Sequence, residues 1–184
     1  MRYTRKPTTW MAIVLSALLL MVAQPASAAI FRYDGPYEGK VVDADSGDPI
    51  QGAVVLGVWY RIHPNVAGWN SEFYDAVETL TDKNGEFHIK GLGPLFMSNI
   101  DEMMIVIFKV RYEHLGHSLW KSLKVDYILK QKIKWDRNKA IIPLKKLTLE
   151  QRRNRFGDYM VTIPDEKQTL LLDEIEKEDK DIER

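Results

Sequence analysis

No cysteine occurs in the 184 residues. That absence excludes disulfides, thiolate metal sites and a thiol nucleophile, and it excludes a lipid anchor, because lipoprotein processing needs a thiol at the cleavage site. Net charge is lacking as well: 26 Lys and Arg stand against 26 Asp and Glu. A balance of that kind leaves no electrostatic footprint for nucleic acid. No Gly-x-Ser-x-Gly elbow, no H-E-x-x-H pair and no glycine-rich phosphate loop between a strand and a helix is present, so the motif-bearing hydrolases and nucleotide binders have no support. The apolar run at 10–22 falls short of the roughly 20 residues a bilayer span needs.

That short run instead has the form of an export signal. Arg2, Arg5 and Lys6 precede it, Pro25 breaks it, and Ala26-Ser27-Ala28 offers small residues to signal peptidase, so cleavage is expected near Ala28. A retained N-terminal anchor is the competing reading. Residues 1–28 hold three basic and no acidic residues, which leaves the remainder at −3. The expected location is periplasmic or secreted, with membrane contact only through the signal. An exported domain without disulfides must rest on its hydrophobic core, and the remaining length suits one domain with an appendage.

Residues 29–38 read as a lead-in arm, because Gly35-Pro36 breaks any regular element there. From residue 39 short apolar runs alternate with Gly, Pro, Asn and Asp clusters, the pattern of closely spaced strands joined by tight turns. Gly47, Pro49 and Gly52 mark the first turn and a bulge. In 53–61, Val54, Leu56, Val58 and Tyr60 alternate with Val55, Gly57 and Trp59, and the Val54 set is expected inward. Residues 62–75, with Pro64, Asn65, Gly68 and Asn70, read as a long irregular connection. Asn84-Gly85 between alternating runs predicts a β-hairpin. The run 103–110 predicts a central strand, 119–125 a further strand, and 139–145 the strand that closes the sandwich.

The chain then turns helical. Thr148-Leu149-Glu150-Gln151 matches a capping box, and Gly157 stands where a C-terminal cap belongs. Residues 165–182 predict a second helix with a thin apolar stripe of Leu171, Ile175 and Ile182. Charge is polarised here: residues 121–155 hold twelve basic and three acidic residues, whereas 165–184 hold nine acidic and four basic. The blocks either meet within the molecule, remain solvated, or dock a partner.

Three stretches carry a resemblance: Gly39-Lys40-Val41-Val42-Asp43, the run Gly47-Asp48-Pro49-Ile50-Gln51-Gly52-Ala53-Val54-Val55, and Glu78-Thr79-Leu80-Thr81-Asp82-Lys83-Asn84-Gly85-Glu86-Phe87. In their order and spacing they resemble the carboxypeptidase regulatory-like domain of bacterial exported proteins. The resemblance covers 39–147 and implies a mainly β, seven-stranded, transthyretin-like (Ig-like) Greek-key sandwich, here followed by C-terminal helices over 148–184. It implies no catalytic residue and no cofactor, since the motif residues of that family are structural. The role it implies is a non-enzymatic accessory or binding module of the cell envelope, contacting a protein or glycan partner.

Tyr60, Trp69 and Tyr74 are the candidate ligand-binding residues, because flat π faces with polar edges suit sugar rings and peptides. The alternative function is a metal-dependent hydrolase using His114 and His117, whose spacing lacks both the intervening glutamate and a helical context. Asp43, Asp45 and Asp48, and Asp82 with Asn84, echo half of a calcium loop without its downstream glutamate. Turn chemistry accounts for each of them.

Overall fold

The structure, a computed structural model, describes residues 31–66, 68–117, 133–154 and 161–184. The leader, the strand expected at 119–125 and the cap expected at Gly157 lie outside these residues. The described chain is mainly β. Its ten strands are β1 (Phe31–Asp34), β2 (Tyr37–Asp43), β3 (Val54–Asn65), β4 (Gly68–Leu80), β5 (Glu86–Ile89), β6 (Gly93–Phe96), β7 (Met104–Phe108), β8 (Leu115–His117), β9 (Lys134–Asp136) and β10 (Lys139–Leu144). Two α-helices follow, α1 (Leu149–Arg153) and α2 (Thr169–Ile182), the latter preceded by a 3-10 turn at Asp165–Lys167.

The strands form two four-stranded sheets, ordered β5-β2-β10-β9 and β4-β3-β7-β8, and a small β1-β6 sheet. β10 runs parallel to β2, and the other pairs are antiparallel. One core lies between the large sheets: Val41, Phe87, Ile89, Ala140 and Ile142 from the first meet Val55, Trp59, Ile105 and Ile107 from the second. On the other face of the first sheet, register places His88, Glu38, Lys139 and Asp136 in one row and Glu86, Lys40, Ile141 and Lys134 in the next. That alternation is the signature of a sheet with one dry and one wet face.

The inner strands of the second sheet, β7 and the Val54–Trp59 half of β3, are dry on both faces. Val54, Leu56 and Val58 do not point between the sheets, as the alternation suggested; they pack with Ala76, Val106 and Phe108 beneath Leu171 of α2. Val55 and Trp59 take the inter-sheet positions instead. Either set is apolar enough to serve as the core face, and a helix that covers the outer one removes the distinction. α2 is therefore part of the packed body.

Two connections also differ from expectation. The described residues of 62–75 are not irregular: β3 and β4 stay paired from Val54↔Leu80 to Asn65↔Gly68, with one irregularity at Trp59/Tyr60. Pro64 is tolerated because it sits near the end of the ribbon, opposite Trp69. Asn84-Gly85 does form a tight turn, with Gly85 N–H donating to the Asp82 carbonyl. However, β4 belongs to the second sheet and β5 to the first, so the turn carries the chain across the sandwich and closes no hairpin. In the lead-in arm Gly35-Pro36 does interrupt regular structure, between β1 and β2, but Phe31–Asp34 before it is a strand paired to β6.

Gly47, Gly52 and Gly85 all take positive φ, at 78°, 68° and 74°. At Gly85 a side chain is also excluded by space, since a Cβ would collide with the Val41 carbonyl oxygen. Gly85→Ala should therefore cost about 2 kcal/mol or more in urea unfolding, from left-handed strain and that backbone clash together. An unchanged midpoint would contradict this geometry.

Candidate functional site

The aromatic residues singled out from sequence lie on the β3-β4 ribbon, but they do not assemble into one platform. Tyr60 is half-buried and packs with Phe73 against the core beneath α2. Tyr74 sits beside the irregularity at Trp59/Tyr60 and carries the Arg61 guanidinium 4.9 Å above its ring. Trp69 lies opposite Pro64, four residues along β3 from Tyr60, a separation of about 13 Å at the strand rise of ~3.3 Å per residue. Its side chain is 77% exposed. β7 accompanies β3 over Val54–Val58 and residues 99–101 bond Tyr60 and Ile62, so the tip of the ribbon beyond Ile62 projects past the neighbouring strand.

His114 precedes β8 and His117 ends it. The pair thus lies on a connection and an edge strand, and the His117 side chain falls outside the described residues. His63 faces Glu72 across the ribbon at 3.3 Å. Among the described residues no three His, Asp or Glu side chains converge as a metal-holding group. Two of the aspartates that echoed calcium loops, Asp43 and Asp82, bind their own turns. Asp43 Oδ1 accepts the N–H groups of Asp45 and Ser46, and its Oδ2 accepts the Tyr112 hydroxyl at 3.0 Å. Asp82 Oδ1 accepts from Asn84 and Glu86.

A denser set of ionisable side chains pins α2. Leu171, Glu174 and Glu178 share its buried face, a spacing of three and then four residues. Glu178 is 2% exposed and receives Arg152 in a fork, Nε at 2.8 Å and Nη2 at 2.9 Å, together with the backbone N–H of Arg111. Asp181 binds both Arg152 and Arg111. Glu174 accepts from Lys109 Nζ at 3.0 Å and from Lys177. At the other end of α2, Glu78 of β4 caps the helix, accepting from Leu170 N–H at 2.9 Å and Leu171 N–H at 2.8 Å. Gln168, the helix's own cap position, supplies no capping bond, its side-chain amide donating instead to the Ile163 carbonyl at 3.0 Å. The acidic and basic blocks thus meet at Arg152.

These contacts fix a pH dependence. Hydrogen bonds from Arg111 and Arg152 hold the Asp181 carboxyl well below its ordinary range. Burial alone would raise Glu174, but Lys109 and Lys177 bring it below its usual value. The Ser46 and Asp45 N–H groups depress Asp43. Carboxyls lowered on folding stabilise the native state above their unfolded values, near ~4, and lose that contribution as pH falls towards the folded values. The urea midpoint should therefore decline steadily as pH falls from about 5 to about 2. A flat profile over that interval would contradict the network.

One recess escaped sequence reasoning. A cleft of about 340 Å³ opens between the Gly35-Pro36 turn and the β9-β10 hairpin, lined by Gly35, Pro36, Glu38, Trp135, Arg137 and Asn138. Asp34 anchors one wall: it is 3% exposed and accepts from the Tyr37 hydroxyl at 2.6 Å, Trp59 Nε1 at 2.9 Å and Leu92 N–H at 3.0 Å. The opposite wall is a two-residue turn, since Asp136 pairs with Lys139. Trp135 is 47% exposed beside it. Two-residue hairpin turns favour glycine, asparagine or aspartate at positive φ. Here Arg137 takes it, at 54°, although Asn138 is its neighbour. A non-glycine side chain held there costs about 1–2 kcal/mol. The legible signal was Trp135-Asp136-Arg137-Asn138 itself, an aromatic beside planar polar groups at a turn.

No protein-family model, curated protein or solved structure matches this chain.

Proposed function

We propose that this chain is a non-enzymatic accessory module exported to the cell envelope, where it binds a protein or glycan partner. On this reading residues 1–28 are a cleaved signal, and the body is a transthyretin-like sandwich of the carboxypeptidase regulatory-like type. β2, β3, β4, β5, β7, β8 and β10 would be its seven strands, elaborated by β1, β6 and β9. The two four-stranded sheets over a shared core support that assignment of fold. The observation that carries the functional reading is the presentation of large aromatic side chains by regular strands. Trp69 stands out at the end of the ribbon, and the cross-strand partners Phe31 and Phe96 are 61% and 69% exposed on the β1-β6 sheet. An apolar pair such as Phe31 and Phe96, held in water by regular backbone, is typical of contact surfaces.

Sedimentation of the purified full chain with isolated envelope fragments tests this. Co-sedimentation is expected, and it should fall at least tenfold in a chain carrying Phe31→Ser, Trp69→Ser, Phe96→Ser and Trp135→Ala with unchanged circular dichroism. Absence of co-sedimentation, or its survival in that variant, would contradict the reading.

A further inference from the structure

We propose that the cleft between the Gly35-Pro36 turn and the β9-β10 hairpin is a binding site for an uncharged saccharide. The inference rests on the binding-module reading above and supplies its ligand class and place. Four observations carry it. The cleft's volume of about 340 Å³ lies at the small end of the ~300–1,000 Å³ of ligand sites. Trp135, half-exposed at its edge, offers an indole face for the C–H side of a sugar ring. Glu38, whose Oε1 already meets His88 Nδ1 at 3.3 Å, adds a further acceptor oxygen, and Arg137 and Asn138 add a donor fork and a mixed amide, planar groups that bond vicinal hydroxyls in pairs. One carboxylate and one guanidinium leave the recess without a net demand for charge, which favours a neutral ligand over an anion.

The fourth observation is the turn. Its geometry would be satisfied better by glycine than by Arg137, so the side chain there works against local backbone preference. Strained residues of this kind concentrate where a side chain must be placed for contact. Both walls are also fixed from behind, by the Asp34 hydrogen bonds on one side and by the β9-β10-β2 pairing on the other. A preformed recess binds without an ordering cost.

The purified full chain should be applied to an array of neutral oligosaccharides, anionic oligosaccharides and proline-rich peptides, with hits titrated by tryptophan fluorescence. Binding is expected in the neutral arm. Trp135→Ala should weaken it about tenfold or more, and Arg137→Gly should weaken it similarly while leaving the thermal midpoint unchanged or raised. Trp69→Ala should leave it intact. Binding confined to the anionic or peptide arm would overturn the assignment, as would neutral binding that survives Trp135→Ala or no binding in any arm. Envelope co-sedimentation persisting in Trp135→Ala alone would show that the module reading survives the loss of this site.

Discussion

Glu178→Ala is expected to destabilise the protein by about 3–5 kcal/mol, with the loss visible as a large drop in urea midpoint. The reason is what the substitution leaves behind. Arg152 is 8% exposed, and its guanidinium forks onto Glu178 from α1, so removing the carboxylate strands a buried cation whose remaining acidic partner is Asp181. The backbone N–H of Arg111, held at a positive φ of 72°, loses its acceptor in the same step. Burying an ion pair need not stabilise a fold relative to apolar packing, but breaking one from a single side does cost. The double substitution Arg152→Met with Glu178→Leu should accordingly recover most of the loss. If the double variant is as unstable as Glu178→Ala, the cost lies in packing of α2 and the ionic account fails.

Asp34→Ala should be nearly as damaging, at about 3–5 kcal/mol, because three donors lose one acceptor group. The Tyr37 hydroxyl, the Trp59 indole N–H and the Leu92 amide all converge on that carboxylate. Asp34→Asn, which retains one acceptor oxygen, should lose less. Alkaline titration gives a second readout. Burial first, and the Asp34 hydrogen bond second, raise the Tyr37 phenol far above its ordinary value of 10.0. A phenol raised on folding stabilises the native state below pH ~10 and loses that contribution as pH climbs towards the folded value. In wild type Tyr37 should stay protonated until the fold opens in alkali, whereas Asp34→Ala should bring its ionisation down. Equal titration of Tyr37 in both proteins would refute the role given to Asp34.

Local chemistry was legible in the sequence where it depended on neighbours along the chain. The capping box at Thr148 is present, with Gln151 N–H donating to the Thr148 hydroxyl and the Gln151 side chain accepting from Thr148 N–H. The run predicted as a central strand is β7, paired on both sides. What the sequence did not reveal depends on partners distant in the chain. Pairing across 62–75 overrides the breaking tendency of Pro64 and Gly68. The turn at Asn84-Gly85 was visible, whereas the sheet to which each flanking strand belongs was not. α2 reads as a thinly apolar helix because its docking face is partly carboxylate. Those carboxylates are matched by Lys109, Arg111 and Arg152 from elsewhere.

The same packing decides which surfaces a partner can reach. With α2 seated on Val54, Leu56, Val58, Val106 and Phe108, the broadest apolar face of the second sheet is occupied from within. The end of the ribbon, the β1-β6 face and the cleft beside Trp135 remain available. Which surfaces stay open to a partner therefore depends most on α2 being a fixed layer of the fold, capped by Glu78 and anchored through Glu178. Native-state hydrogen exchange tests that dependence most directly. The α2 amides C-terminal to its first turn, from Asp173 to Glu178, should open with a free energy comparable to those of Val106 and Ile107 in β7. Exchange of α2 at the rate of an isolated helix, with β7 still protected, would contradict it.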